Sequence, residues 1–415
     1  MSNFHDPIKH LKFLRQSLSQ DKKPLGFFIS AGCPLAVGMP TGKWPLIPDV
    51  KNLTLHIHNK LKAPAGTPEN SYDKLIIELG KAKKNIDNVE DILSFLRALK
   101  QVCVGNTVRG FDEATLLQLE KDICLSIVEK LDVGLPDNET PYHRLAHWVG
   151  SIDRERPIEI FTTNYDLLAE QAFEEVSLPY FDGFVGSRQS FFDLRALEDN
   201  LIPKHWTRLW KIHGSINWFQ KETKEVYRSS QTKVIADSHL IYPSHIKYEQ
   251  SRKMPYLALI DQLTRFLRQP NSLLILSGYS FNDEHLNDTI VNALKANPNT
   301  MVIALLFGRL KVDNVEIYPN AVSLANNRSN LAIWGNDEAI IGTVRGVWKP
   351  INGDYDEDEN RANCLSKQEK KILDNDGNET GQSLFSYHLD LGDFKKFGEF
   401  LRELIGFNEE DKNEK

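Results

Sequence analysis

Cysteine is scarce in this sequence: Cys33, Cys103, Cys124 and Cys364 are all there is in 415 residues, and no two form a C-x-x-C pair. That scatter suggests neither the disulfide framework of small secreted domains nor a zinc ribbon, and it fits a reducing cytoplasm. Long apolar runs are lacking as well. No stretch approaches the roughly 18 apolar residues of a membrane span, and the opening MSNFHDPIKHLKFL has no apolar segment of the kind that directs export. An excess of basic residues is also missing, since the formal net charge is -7. Proteins that grip nucleic acid through its phosphates usually show the opposite balance, so no direct nucleic-acid binding is expected. What is present, 41% hydrophobic and 26% charged residues, is the composition of an ordinary globular protein. The length suggests more than one structural unit.

The most informative stretch is Ile160-Phe161-Thr162-Thr163-Asn164-Tyr165-Asp166, where an apolar run breaks off into hydroxyls, an amide and a carboxylate. Residues 156–161 read as a buried strand, and Leu167 to Phe173 has the spacing of an amphipathic helix. Asn164 and Asp166 then stand where strand becomes helix, the position at which open parallel sheets bind ligands. Taken alone, a cap on that helix from Thr163 or Asp166 is the better reading.

Three other segments repeat the pattern. Pro24 to Ile29 reads as a strand running into Ser30-Ala31-Gly32-Cys33-Pro34 and on to Gly38-Met39-Pro40, small residues that let phosphates approach backbone N–H groups. The segment is neither G-x-G-x-x-G nor a P-loop, because no Ser or Thr follows Gly42-Lys43. Leu209 to Ile212 reads as a short strand ending in His213-Gly214-Ser215-Ile216-Asn217. Ser272 to Leu276 is the clearest buried strand, and it stops at Ser277-Gly278-Tyr279-Ser280-Phe281-Asn282-Asp283. A helix from Asp283 to Lys295 leads to a fifth buried strand, Met301 to Phe307. Strands alternating with helices in this way predict an α/β fold with a Rossmann-like parallel sheet.

Residues 50–150 read as a large helical insertion, with leucines and isoleucines recurring at helical intervals. His56 and His58 lie in a Leu-rich run that looks strand-like. His143 and His147 lie one turn apart on a helix opened by Thr140-Pro141. The metal-binding H-E-x-x-H pattern would need Glu where Arg144 stands, so the two histidines are read as structural. Residues 175–208 are aromatic-rich and irregular, and residues 220–258, with a turn at Pro243, read as a small insertion. Residues 351–380 read as an acidic linker or loop. A C-terminal α+β extension follows over 381–415, with a strand near Leu384 to Leu391 and an amphipathic helix carrying Phe394, Phe397, Phe400 and Leu401. This divides the chain into a domain over 1–350 and the C-terminal extension. The final helix reads either as core packing or as a contact face for a partner.

Taken together, the four strand ends resemble the sirtuin motifs in order. Ser30-Ala31-Gly32 through Gly38-Met39-Pro40 resembles the G-A-G-x-S-x-x-x-G-I-P loop, Thr163-Asn164-Tyr165-Asp166 the T-Q-N-x-D segment, His213-Gly214 the H-G pair and Gly278-Tyr279-Ser280 the G-T-S. The chain departs from that pattern in having Ser30 for the first Gly, Thr41-Gly42 after the Pro, and no zinc-binding cysteine pairs. Its size and layout resemble the prokaryotic SIR2-like NAD-cleaving subunits of antiphage defence systems, including the SIR2 protein paired with a HerA-type hexameric ATPase. The resemblance implies a sirtuin-type fold without the zinc module. It implies NAD+ as substrate, no metal, and a homo-oligomer with a HerA-type ATPase as partner.

On this resemblance, Asn164, Asp166 and His213 are the catalytic candidates. Asn164 would orient water or the ribose hydroxyls, Asp166 would offset the cationic sugar, and neutral His213 would accept a proton. Ser30, Ala31, Gly32, Pro40, Thr163, Gly278 and Ser280 are the candidate cofactor contacts, with backbone amides near Ala31 and Gly32 and the Ser280 hydroxyl taking the diphosphate. The implied activity is hydrolysis of NAD+ to nicotinamide and ADP-ribose. A regulatory subunit that binds NAD or ADP-ribose without turnover is the alternative, and a protein deacylase is a third reading. An aromatic lid over Phe181 to Phe192 and the acidic run Asp354 to Glu359 are candidates for covering the crevice.

Overall fold

The computed structural model describes residues 3–233, 237–241, 255–351, 364–373 and 379–406. Along the chain, β1 (Phe4–His5) and α1 (Pro7–Leu18) precede β2 (Leu25–Ile29), which ends in a single 3-10 turn at Pro34–Ala36. Four helices then follow without a strand: α2 (Val50–Leu61), α3 (Ser71–Lys81), α4 (Val89–Val102) and α5 (Glu113–Leu131). Next come α6 (Pro141–Ser151), β3 (Glu159–Thr162) and α7 (Leu168–Glu175). Short elements β4 (Tyr180–Phe181), β5 (Phe184–Val185), β6 (Ser190–Phe192) and α8 (Leu194–Glu198) lead to β7 (Thr207–Lys211), β8 (Gly214–Gln220), β9 (Val226–Arg228) and β10 (Ser238–Ile241). The chain continues through α9 (Tyr256–Leu267), β11 (Leu273–Ser277), α10 (Glu284–Ala296), β12 (Met301–Leu305), the small hairpin β13 (Lys311–Val312) and β14 (Val315–Glu316), and α11 (Pro319–Asn326). It closes with β15 (Leu331–Trp334), β16 (Glu338–Ile341), β17 (Val344–Trp348), β18 (Leu365–Leu373), β19 (Glu379–Leu389) and α12 (Phe394–Glu403).

Ten strands form one sheet in the order β1-β17-β16-β15-β12-β11-β2-β3-β7-β4. Pairing is parallel from β15 through β4, and β16 is antiparallel to both of its neighbours. The central strands LGFFI and LLILS are buried on both faces, as a parallel sheet covered by helices requires. Alternation along β2 sends Phe27 into the core shared with α6, α12 and the four-helix insertion, and Phe28 into the core shared with α9 to α11. Because β2 has β11 on one side and β3 on the other, the strand order reverses there. Crevices form at such a reversal, outside the carboxyl ends of the strands.

The α/β fold and the five parallel strands expected from sequence are present, with bounds shifted by a few residues. Several local readings change. His56 and His58 lie on α2, whose capped start at Asp49 and buried Leu53, Thr54 and Ile57 give it a helical face. The segment over 209–217 is two strands, β7 and β8, turned at Ile212-His213 with Gly214 at φ +90°. Within the stretch read as a linker, Leu365–Leu373 is a strand paired with β19. Residues 175–208 contribute β4 to the main sheet and β5 and β6 to a second, five-stranded sheet, instead of forming a loose lid. The acidic run Asp354 to Glu359, Pro243 and the tail beyond Asn408 lie outside the described residues.

The final helix is core, and its contact-face reading is overturned. Phe394, Phe397, Phe400 and Leu401 are buried, and Phe397 meets Phe27 of β2 with ring centroids 6.0 Å apart. Gly398 permits the close approach to α6, because a Cβ there would sit 3.2 Å from Pro141 Cα. No helix among the described residues is long and apolar enough to cross a membrane.

Candidate active site

The crevice at the ends of β2, β3, β7 and β11 is lined by Ser30 and Ala31, by Thr163 to Asp166, by His213, and by Tyr279, Ser280, Asn282 and Asp283. The opposite wall comes from the insertion and its approach: Ile47, Pro48, Val50, Leu53, Asn88, Glu90 and Leu131. Seven of the sequence-derived candidates therefore converge here, namely Ser30, Ala31, Thr163, Asn164, Asp166, His213 and Ser280. Pro40 is not among the lining residues, and its carbonyl accepts the Lys43 N–H in a local turn.

Gly32 and Gly278 hold two strand-end loops together rather than lining the crevice. The Gly32 N–H donates to the Gly278 carbonyl at 3.0 Å, so it is not free for a diphosphate, contrary to the sequence expectation. A Cβ on Gly32 would sit 2.8 Å from Gly278 Cα, and Gly278 itself has φ +69°. The small residues serve close backbone approach, which sequence alone does not distinguish from ligand contact.

Hydrogen bonds fix the polar side chains across strands. Ser30 Oγ and Thr163 Oγ1 lie 2.8 Å apart, and Asn164 Nδ2 donates to the Ser30 carbonyl at 3.3 Å. Asp166 Oδ1 accepts the Leu168 N–H at 3.1 Å from the position before the Leu167 N-cap of α7, and the residue also lines the crevice. Burial pushes the Asp166 carboxyl up to about 6, against the opposing charge of Lys211. Lys211, only 1% exposed, donates to the Asp166 carbonyl and to Glu170 Oε1, the latter at 2.7 Å.

His213 is 3% exposed, and neither ring nitrogen has a hydrogen-bond partner. Its Nε2 lies 3.2 Å from Asp283 Oδ2, a distance suited to an ion pair but with the ring misaligned for a hydrogen bond. Burial pushes the Asp283 carboxyl up, yet His213 and the Leu286 N–H overcome that and hold it below the usual carboxylate range. Asp283 also caps α10 through the His285 and Leu286 N–H groups.

Phe281 aims the last segment. Its φ of +59° is rare for a bulky buried residue, and its carbonyl is taken by Asn287 Nδ2 at 2.8 Å and Asn320 Nδ2 at 3.0 Å. This places Ser280 and Asn282 on either side of a backbone kink at the crevice. Strain of this kind persists only where surrounding contacts over-determine it.

Sequence reasoning missed Tyr165, Tyr279, Asn282, Asp283 and the whole insertion wall. Asn282 and Asp283 stood in the quoted strand end, where their polarity was the available signal. Glu90 follows the helix-capping Asn88 by two residues, a pattern that marks a helix start but says nothing of what it faces. His143 is structural as expected: Thr140 bonds to its Nδ1 and Glu175 Oε2 to its Nε2. Among the described residues, no three His, Cys, Asp or Glu are grouped to hold a metal ion. A second cavity of about 610 Å³ lies near Trp206, and its charged pair Asp182 and Arg228 is spent on itself at 2.5 Å.

Polar residues thus gather at the strand-order reversal of a parallel α/β sheet, the position at which sheets of this class bind ligands. Residues 158–325, from β3 to α11, match the family model of a SIR2-like domain. No curated protein matches the sequence significantly. Among solved structures, the chain is similar to Sir2Tm bound to a propionylated peptide, at 11% identity and TM-score 0.33, covering 76% of this chain and 98% of that one. It is similar also to a Sir2 homologue in complex with NAD, at 12% identity and TM-score 0.32, covering 75% and 87%.

Proposed function

We propose that this protein hydrolyses NAD+ to nicotinamide and ADP-ribose in the crevice at the ends of β2, β3, β7 and β11. The observation that carries the reading is His213, buried in the crevice with Nδ1 unpartnered and Nε2 facing Asp283 Oδ2 at 3.2 Å. A buried polar group without a partner is costly and calls for an explanation, and a ligand or reacting proton supplies one. The charge of the lining supports it. Apart from Glu90, whose carboxylate accepts the Tyr165 hydroxyl, the ionisable groups there are Asp166, Asp283, His213 and two tyrosines, with no Lys or Arg among them. Such a wall suits a cationic nicotinamide and the positive charge that develops on the ribose as the N-glycosidic bond breaks.

In the mechanism, Asn164, its amide fixed by the Ser30 carbonyl, orients the ribose or the attacking water. Neutral His213 accepts the proton that this water sheds, and Asp283 beside it stabilises the imidazolium. Ionised Asp166 offsets the sugar cation, and the Ser280 hydroxyl with the Ala31 N–H contacts the diphosphate.

Purified protein incubated with NAD+, with and without an acetylated peptide, tests the reading by product analysis. Nicotinamide and ADP-ribose in equal amounts without peptide are expected. Peptide-dependent turnover would make the protein a deacylase, and binding without turnover a regulatory subunit. Asn164→Ala is expected to lower turnover by about 10²- to 10³-fold. His213→Ala is expected to lower it by about 10²- to 10⁴-fold while NAD binding remains measurable by calorimetry. Loss of binding together with turnover would assign His213 to ligand positioning.

The biological setting we propose is the cytoplasm, with the protein as an antiphage effector that assembles as a homo-oligomer and is controlled by a HerA-type hexameric ATPase. An unrestrained hydrolase of a central cofactor would be toxic to its own cell, which is the argument for control by assembly. Light scattering and NAD assays with and without such an ATPase test it. A monomer whose full rate no partner alters would overturn it.

A further inference from the structure

The insertion supplies a wall of the crevice, and one of its carboxylates is fastened to the strand-end segment. The hydroxyl of Tyr165, which stands between Asn164 and Asp166, donates to Glu90 Oε1 at 3.0 Å. The Tyr165 carbonyl in turn accepts the Ile216 N–H at 3.0 Å and the Ser215 hydroxyl at 3.3 Å from β8. Backbone and side chain are thus held from opposite directions.

Glu90 is itself well anchored. It is the second residue of α4, and its N–H donates to the capping Asn88 Oδ1 at 2.8 Å. The preceding Val89 N–H donates to the buried Thr54 Oγ1 of α2 at 2.9 Å. Two turns along the same helix, Arg97 pairs with Glu120 of α5 at 2.6 Å and donates to the Ile241 carbonyl of β10 at 2.8 Å. Helix α4 is therefore braced against two neighbouring helices and the second sheet, and its first turn presents a carboxylate that cannot drift far. Rigid support of this kind keeps a site within the narrow tolerance that catalysis needs.

We infer that Glu90 is a positioning residue, holding the Asn164-Tyr165-Asp166 segment through the Tyr165 hydroxyl and making the helical insertion part of the catalytic apparatus. The inference rests on the proposed NAD cleavage for its kinetic consequence but not for its structural one. Glu90 acts through an acceptor oxygen, so Glu90→Gln, whose side-chain carbonyl accepts the same bond, retains the function and Glu90→Ala loses it.

The test compares Glu90→Ala, Glu90→Gln, Tyr165→Phe and the Glu90→Ala/Tyr165→Phe double variant by amide hydrogen exchange and by NAD kinetics. Faster exchange at the Asn164 and Leu168 amides is expected in the alanine, phenylalanine and double variants and not in Glu90→Gln. The same three variants are expected to lose about 10- to 10²-fold in kcat with little change in KM. The double variant is expected to be no worse than either single one, as residues acting through one contact should be. Unchanged exchange in Glu90→Ala overturns the inference, and this holds even if the wild type proves unable to cleave NAD, an outcome that removes only the functional reading. Multiplying kinetic effects in the double variant, or Glu90→Gln as damaged as Glu90→Ala, also overturns it, because the charge would then act directly.

Discussion

Asp166 is pulled two ways, by its place in the crevice and by its burial. Its folded carboxyl titrates near 6 where an ordinary aspartate titrates near 3.8, chiefly because of burial. The folded protein therefore binds a proton more tightly than the unfolded chain does, and stability falls as pH rises from about 4 to about 6. The penalty is fully present above that window and amounts to on the order of 2–3 kcal/mol. Asp166→Asn keeps the acceptor for the Leu168 N–H and removes the charge. We expect this variant to be more stable than the wild type at pH 8, with the difference closing below about pH 4, and to turn over NAD poorly at pH 8. Urea unfolding at the two pH values checks it; a variant less stable at pH 8 would contradict the role given to burial. Asn164, Asp166 and His213 were legible as candidates because polar residues after a buried strand are conspicuous. Their states were not, since neither the burial of Asp166 nor the unpartnered Nδ1 of His213 has a sequence signal.

Elements were legible where their hydrophobic pattern had a single reading. The buried strands β2, β11 and β12 stand out as short apolar runs, whereas α2, with its two histidines among leucines, could be taken for a strand until its Asp49 cap was weighed. The hairpin β16–β17 turns on Gly342 and Thr343, both at positive φ, and Thr at such a position gives no sequence signal of the two-residue turn that joins antiparallel strands. For α12 the pattern was clear and its partner was not, because an amphipathic face looks the same whether it meets the core or another chain. Its Phe397 packs on Phe27 in the middle of the sheet. Phe397→Ala is expected to cost about 3–5 kcal/mol of stability, the usual loss for a buried phenylalanine, and to leave the oligomeric state unchanged. Chemical unfolding and light scattering read both; loss of self-association at intact stability would restore the contact-face reading.

At the scale of the whole molecule, the insertion and the sheet are coupled by charges that no sequence pattern joins, since Arg97, Glu120 and Ile241 are brought together only by the tertiary fold. Burial alone would push the Glu120 carboxyl up, but Arg97 and Lys100 prevail and hold it at about 2, against 4.5 for an ordinary glutamate. The folded state thus binds this proton more weakly than the unfolded chain, so the stabilisation is complete above about pH 4.5 and is lost as pH falls toward 2. Glu120→Gln puts a neutral amide where the buried Arg97 guanidinium has its anionic partner, and breaking such a pair from one side typically costs about 3–5 kcal/mol. We expect the variant to be less stable than the wild type by about that much at pH 7, with the gap narrowing steadily below pH 4.5. Because Arg97 also braces the helix that carries Glu90, the same variant is expected to show faster amide exchange at Asn164 and Leu168, more than twenty residues away from Glu120 in sequence. A stability loss at pH 7 without that exchange would mean that the insertion holds itself together but does not support the crevice.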